Sequence, residues 1–178
     1  MDKIRYYSDI TRQSYSERKF LDLIEKRIRK HLRIEKSINL KNKYFIINDD
    51  TANYEVMIYF LKRILPEKLD LITITTGEDL KADDREQIKT EHLETYLADR
   101  MDFFMKNKPL ETLEKTISPL RVVSEKELEV ITRILSIDKK IDTKKNKFIE
   151  ELQETYEQTK TSLLKSFDNI AEQVSKKR

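Results

Sequence analysis

Cysteine is absent from all 178 residues, so the chain can form no disulfide, no thiolate zinc site, no thiolate-held iron–sulfur cluster and no thiol nucleophile or persulfide carrier. Histidine is nearly as scarce: His31 and His92 lie far apart, with no further ligands at helical or hairpin spacing. A transition-metal site is therefore not expected, and both rings are expected at the surface. Glycine occurs once and proline three times, too few for a β-rich fold built on tight turns, so long helices joined by polar loops are expected. Apolar runs are short, Val56 to Leu61 being typical, and nothing approaches the roughly 20 residues that cross a bilayer. The opening 20 residues carry no secretory pattern. A cytoplasmic protein without a membrane role is the expectation.

Charge is what the sequence has in quantity. Charged residues make up 39% and hydrophobic residues 38%, so much of the chain must be solvated helix face around one modest core. The 36 basic and 33 acidic residues nearly cancel, to +3, but they are unevenly spread. Arg18 to Lys36 holds eight Lys or Arg and three Asp or Glu, whereas Glu78, Asp79, Asp83, Asp84 and Glu86 form an acidic stretch. The basic end should attract phosphate more than the middle does.

Ser14 or Ser16 can cap a helix in which Phe20, Leu23, Ile24, Ile28 and Leu32 recur on one face. Its other faces carry Lys26, Arg27, Arg29, Lys30 and Arg33 among others, which could grip a nucleic-acid backbone by charge or could simply be solvated. Tyr44 to Ile47 reads as a buried strand ending in the polar cluster Asn48-Asp49-Asp50-Thr51. Val56, Met57, Phe60, Leu61 and Ile64 then line a helix that Pro66 follows. Leu71 to Thr75 reads as a second strand, so residues 44 to 75 form one parallel βαβ unit. A further helix is expected with Ile88, His92, Tyr96, Met101, Phe104 and Met105 inward, closed by Pro109. Ile117 to Val123 is expected to be extended. Ser124 and Glu127 form a capping box for a helix to Leu135. A basic linker, Lys139 to Lys147, leads into one last helix of about Lys147 to Val174.

Three segments resemble the PP-loop tRNA-thiolating enzymes, in particular the cytosolic 2-thiouridylase branch. They are the basic helix Phe20 to Arg33 running into Tyr44 to Asn48, Ile117-Ser118-Pro119-Leu120-Arg121 with Ser124-Glu125-Lys126-Glu127-Leu128 behind it, and Thr159-Lys160-Thr161-Ser162-Leu163-Leu164-Lys165-Ser166-Phe167. The resemblance implies an α/β fold: a helix-rich, truncated PP-loop core with a small parallel sheet and flanking N- and C-terminal helices. Residues 1–40 would form a basic helical segment, 41–137 the core and 138–178 the linker and final helix. Active members follow the first strand with Ser-Gly-Gly-Lys-Asp-Ser, whose glycines let backbone amides reach nucleotide phosphates. Here Asn48, Asp49, Asp50, Thr51, Ala52 and Asn53 stand in that place, with no glycine and no lysine. Two carboxylates beside a triphosphate are repulsive, and the family's catalytic cysteines are missing as well. In a C-terminal Pro-Gly-Thr-Lys turn of the family, Glu157-Gln158 replaces Pro-Gly.

The resemblance therefore implies a degenerate relative without catalytic residues or cofactor: a partner subunit that pairs with an active PP-loop thiouridylase homologue, in a hetero- or homodimer, and helps it hold tRNA. Lys26, Arg27, Arg29, Lys30 and Arg33 are the candidate RNA contacts. Two other readings stay open. Asp49, Asp50, Asp83 and Asp84 could hold a divalent cation in a nucleotide-binding or hydrolytic enzyme, and the chain could be a helical or RNA-binding scaffold that kept the fold alone.

Overall fold

The computed structural model describes residues 5–34, 38, 42–66, 72–75, 85–106, 117–156 and 158–176. The chain opens with a hairpin that the sequence did not suggest, β1 (Tyr6–Ser8) and β2 (Gln13–Tyr15), paired antiparallel. Arg12 takes φ 57° in its turn and donates its amide to the Ser8 carbonyl at 2.7 Å. Helix α1 (Glu17–Ile34) follows, with Phe20, Ile24, Ile28 and Leu32 buried at four-residue steps as their spacing predicts. His31 joins that buried face at 9% exposure, which corrects the expectation of a surface histidine.

Strand β3 (Tyr44–Ile47), helix α2 (Ala52–Ile64) and strand β4 (Ile72–Thr75) form the expected parallel βαβ unit, with Tyr44 opposite Ile72 and Ile47 opposite Thr75. Val56, Met57, Phe60, Leu61 and Ile64 are all buried. A third parallel strand, β5 (Glu86–Gln87), pairs with the other side of β3, giving the order β4-β3-β5. Ile88 extends that line by a parallel bridge to Ile117. The molecule is thus α/β, with six α-helices and a small parallel sheet among the described residues. Helices α1 and α2 and strand β3 share one apolar core with Leu120, Val123, Leu128 and Ile131.

Two expected elements in the middle of the chain differ. Ile88 and His92 precede α3 (Leu93–Met105) and are not part of it. The Lys89 amide donates to the Ile117 carbonyl, so the chain is still extended there, and His92 sits at the N-cap with Nδ1 3.3 Å from the Glu94 amide. It is fully buried, as its inward reading in the helical pattern implies and contrary to the surface position expected of both histidines, whereas Met105, also read as inward, is 65% exposed. Pro119–Val122 coils into a 3-10 turn instead of staying extended, because Arg121 and Val123 donate to the carbonyls of Ser118 and Leu120. Pro109, Asp83 and Asp84 fall outside the described residues.

The capping box forms as expected at α4 (Glu125–Ile134). The single last helix is in fact two, α5 (Lys147–Thr155) and α6 (Thr159–Lys176). Thr159 ends the first by donating Oγ1 to the carbonyls of Tyr156 and Leu152. A second core joins both to α3: Leu93, Tyr96, Leu97, Ile149 and Phe167, with Phe104 stacked on Phe167 at 5.3 Å. Arg121, 4% exposed, bonds the Tyr96 hydroxyl and Asp168 at 3.0 Å each and so ties the 3-10 turn to α3 and α6.

Candidate functional site

In a parallel sheet, ligands bind beyond the carboxyl ends of the strands, and residues 48–53 lie there, between β3 and α2. Asp50 has φ 57°, a left-handed conformation that glycine adopts freely and aspartate tolerates through a local hydrogen bond. Asn48 supplies that bond, its Oδ1 accepting from the Asp50 amide at 3.1 Å. Asp49 is equally committed. Its Oδ1 accepts from the Thr51 amide and hydroxyl and its Oδ2 from Thr90 Oγ1. Thr51 caps α2 by accepting from the Tyr54 amide.

A distant segment then closes the start of α2. The Ala52 amide donates to the Lys140 carbonyl at 2.9 Å. Asn53, 2% exposed, grips Asp142 twice, Nδ2 donating to its carbonyl at 2.8 Å and Oδ1 accepting its amide at 3.1 Å. Lys139 places its ammonium 2.9 Å from Asp50 and 2.6 Å from Glu55, and those hydrogen bonds raise its pKa. Further on, Lys144 pairs with Asp99 and Asp102 and rises to about 12 through them, and Lys145 pairs with Glu125. The lysines of the supposed linker are thus a strap across the loop, the first turns of α2 and α4 and the middle of α3.

The consequence is chemical. Amides and the helix dipole at an open N-terminus attract phosphate. Here the strap's carbonyls and the loop's own side chains take those donors, and Asp49 and Asp50 add negative charge. Beside the loop a cleft of about 280 Å³ remains, lined by Ile47, Asp49, Asn53, Thr90, Glu91 and Asp142 among others. Lys89 is the one cation of its lining, against three carboxylates. No three His, Asp or Glu side chains gather as a metal site among the described residues. Replacing Asn53 with alanine strands the amide and carbonyl of Asp142, so a loss of about 1–3 kcal/mol is expected. Hydrogen exchange should show it as faster exchange confined to residues 139–144.

The structure divides the basic residues of α1. Arg27 is turned to Glu127, with Nη1 to Oε2 at 2.6 Å and Nη2 to Oε1 at 3.1 Å. Arg29 pairs with Glu25 at 2.8 Å, and Arg63 of α2 also holds Glu25 at 2.7 Å. Lys26, Lys30 and Arg33 are exposed and make no ion pair among the described residues. The commitment of Arg27 was invisible in sequence because Glu127 is 100 residues away, whereas the Glu25–Arg29 pair stands at the legible i,i+4 helical spacing.

No protein-family profile matches the chain, and no curated protein does. Its architecture is similar to that of the U34-tRNA thiolase NcsA from Methanococcus maripaludis, a structure that carries a 4Fe-4S cluster. The TM-score is 0.70 at 12% identity, over 94% of this chain and 84% of that one. The fold is PP-loop-like. Within it, the strap-closed segment 48–53 lies between β3 and α2, at the carboxyl end of the central strand. Such clusters are held by cysteine thiolates, and this chain has none, so its residues do not fit the cluster of the neighbouring structure.

Proposed function

We propose that the chain is a non-catalytic partner subunit in tRNA 2-thiolation, pairing in the cytoplasm with an active PP-loop thiouridylase and helping it hold the tRNA whose wobble uridine is modified. The observation that carries this reading is the state of the loop. In a PP-loop-like fold, the place for nucleotide phosphates holds Asn48, Asp49, Asp50 and Thr51 and is closed by the Lys139, Lys140 and Asp142 strap. Adenylation needs an open, positive loop, and sulfur transfer needs a thiolate or a cluster held by one. Lacking both, the chain contributes shape and charge to a reaction completed elsewhere.

The small sheet supports a partner. Among the described residues β4 pairs only with β3, and Ile74 on it is 53% exposed, an edge that association would cover. The exposed Lys26, Lys30 and Arg33 support a role in holding RNA.

Affinity capture of the tagged chain from its native cell, with calorimetry of the pure chain against Mg-ATP, tests the proposal. Recovery of a PP-loop thiouridylase together with tRNA, and no heat of ATP binding at 1 mM ligand, are the expected results at about a Kd of 1 mM or weaker. ATP-dependent thiolation or nucleotide hydrolysis by the chain alone would overturn it.

A further inference from the structure

We infer that α1 is a docking ridge for duplex RNA, formed by Lys19, Lys26, Lys30 and Arg33, which engages the backbone of a tRNA stem and reads no base. The inference deepens the proposed function and rests on its tRNA partner. At about 100° and 1.5 Å per residue, these four positions fall within about 60° around the helix and run about 21 Å along it. Phe20, Ile24, Ile28 and His31 point the opposite way into the core. The four side chains therefore crown the solvent-facing crest, and each is exposed.

What makes the ridge more than a solvated face is its missing counter-charge. The two acids on the flank of the ridge are already neutralised, Glu25 by Arg29 and Arg63, and Asp22 by Arg63 at 3.7 Å, while the third acid of the helix, Glu17, lies in the first turn about 160° round the helix from Lys19. Arg27 is bound to Glu127. Lys19, Lys26, Lys30 and Arg33 have no ionic partner among the described residues. His31 adds nothing to the ridge, because burial first and then the Arg121 cation lower its pKa to about 3. Four uncompensated cations in a row need polyanion density along a line, which a duplex backbone provides.

The ridge also lacks what single strands require. Binding of unpaired bases uses aromatic platforms, and the solvent-facing side of α1 carries none; Phe20, its one aromatic residue, is buried. Duplex RNA, recognised by shape and backbone, is the ligand that fits.

Fluorescence anisotropy of the full chain with labelled tRNA, at 50 to 200 mM KCl, tests this. Four phosphate contacts on a duplex should contribute about 3.6 to the slope of log K against log salt, a loss of roughly 150-fold in affinity over that range. The variant Lys19→Gln, Lys26→Gln, Lys30→Gln, Arg33→Gln should lose that part of the slope while keeping its circular dichroism, whereas Arg29→Gln should change it little. A 20-base-pair RNA duplex should compete with tRNA better than a 20-nucleotide single strand. If the wild-type chain binds tRNA and the quadruple variant retains the whole slope, the ridge is wrong and the tRNA reading stands. If neither protein binds tRNA at 50 mM salt, both fall. Stronger competition by the single strand overturns the duplex assignment.

Discussion

Replacing Glu127 with alanine should cost about 3–5 kcal/mol, a large part of the 5–15 kcal/mol that holds a domain of this kind together. Glu127 is fully buried, and three parts of the chain meet on its carboxylate. Arg27 of α1 forks onto both oxygens, the Ser8 hydroxyl of β1 donates to Oε1, and the Ser124 amide at the N-cap of α4 donates to Oε2. Arg27 Nη1 also donates to the Val122 carbonyl of the 3-10 turn at 3.0 Å. Truncation therefore empties a polar centre and leaves the Arg27 guanidinium, 17% exposed, facing a cavity without its anion. That stranded charge is the larger share of the expected loss. Removing both ions together, with Arg27→Met and Glu127→Leu, should recover part of it, because apolar groups of similar volume often replace a buried pair at little cost. Urea denaturation of the two proteins checks the claim, and a Glu127→Ala midpoint indistinguishable from wild type would refute it. The same geometry means that RNA affinity lost on mutating Arg27 alone would report damage to the fold.

Helix α2 was legible because its signals are local. Thr51 caps it, apolar residues recur at helical steps, and Pro66 follows. Strand β3 and the capping box of α4 were legible for the same reason. Strand β5 was not, since Glu86 and Gln87 carry no β signature and belong to the sheet only through pairing with β3. His31 was misjudged because its burial is decided by partners far away, Ser118 and Arg121, whereas the inward side of His92 was legible in the helical spacing and only its place at the N-cap was not. The break between α5 and α6 hid in an amphipathic stripe that runs on through it. In the loop, the absence of glycine and lysine from residues 48–53 was evident. The strap was not, because Lys139 and Asp142 reach that loop from about 90 residues away and read as an ordinary basic linker.

Acid should weaken the fold in two stages, beginning well above the usual carboxylate range. Burial, reinforced by the Arg121 cation and opposed by a hydrogen bond to the Ser118 carbonyl, lowers the pKa of His31 from 6.5 to about 3. Between those values the unfolded chain takes up a proton that the folded chain refuses. Stability must therefore fall as pH falls, by about 1.4 kcal/mol per pH unit for this one group. Below pH 4.5 a carboxylate joins in. Burial alone would raise the pKa of Glu94, but His92 Nδ1 at 3.1 Å and the Lys160 ammonium at 2.9 Å outweigh it and bring the value down to about 2. The folded chain then needs Glu94 ionised where the unfolded chain is protonated, which steepens the loss from pH 4.5 towards 2. Asp168 acts with the opposite sign, because burial raises its pKa and the folded chain holds its proton sooner. His31→Leu separates the stages: between pH 6.5 and 4.5 its urea midpoint should be nearly flat while the wild-type midpoint declines, and below pH 4.5 both should fall. Lys160→Met should do the converse, easing the lower stage and sparing the upper one. Identical midpoint curves for wild type and His31→Leu from pH 6.5 to 4.5 would place the acid sensitivity in some other group.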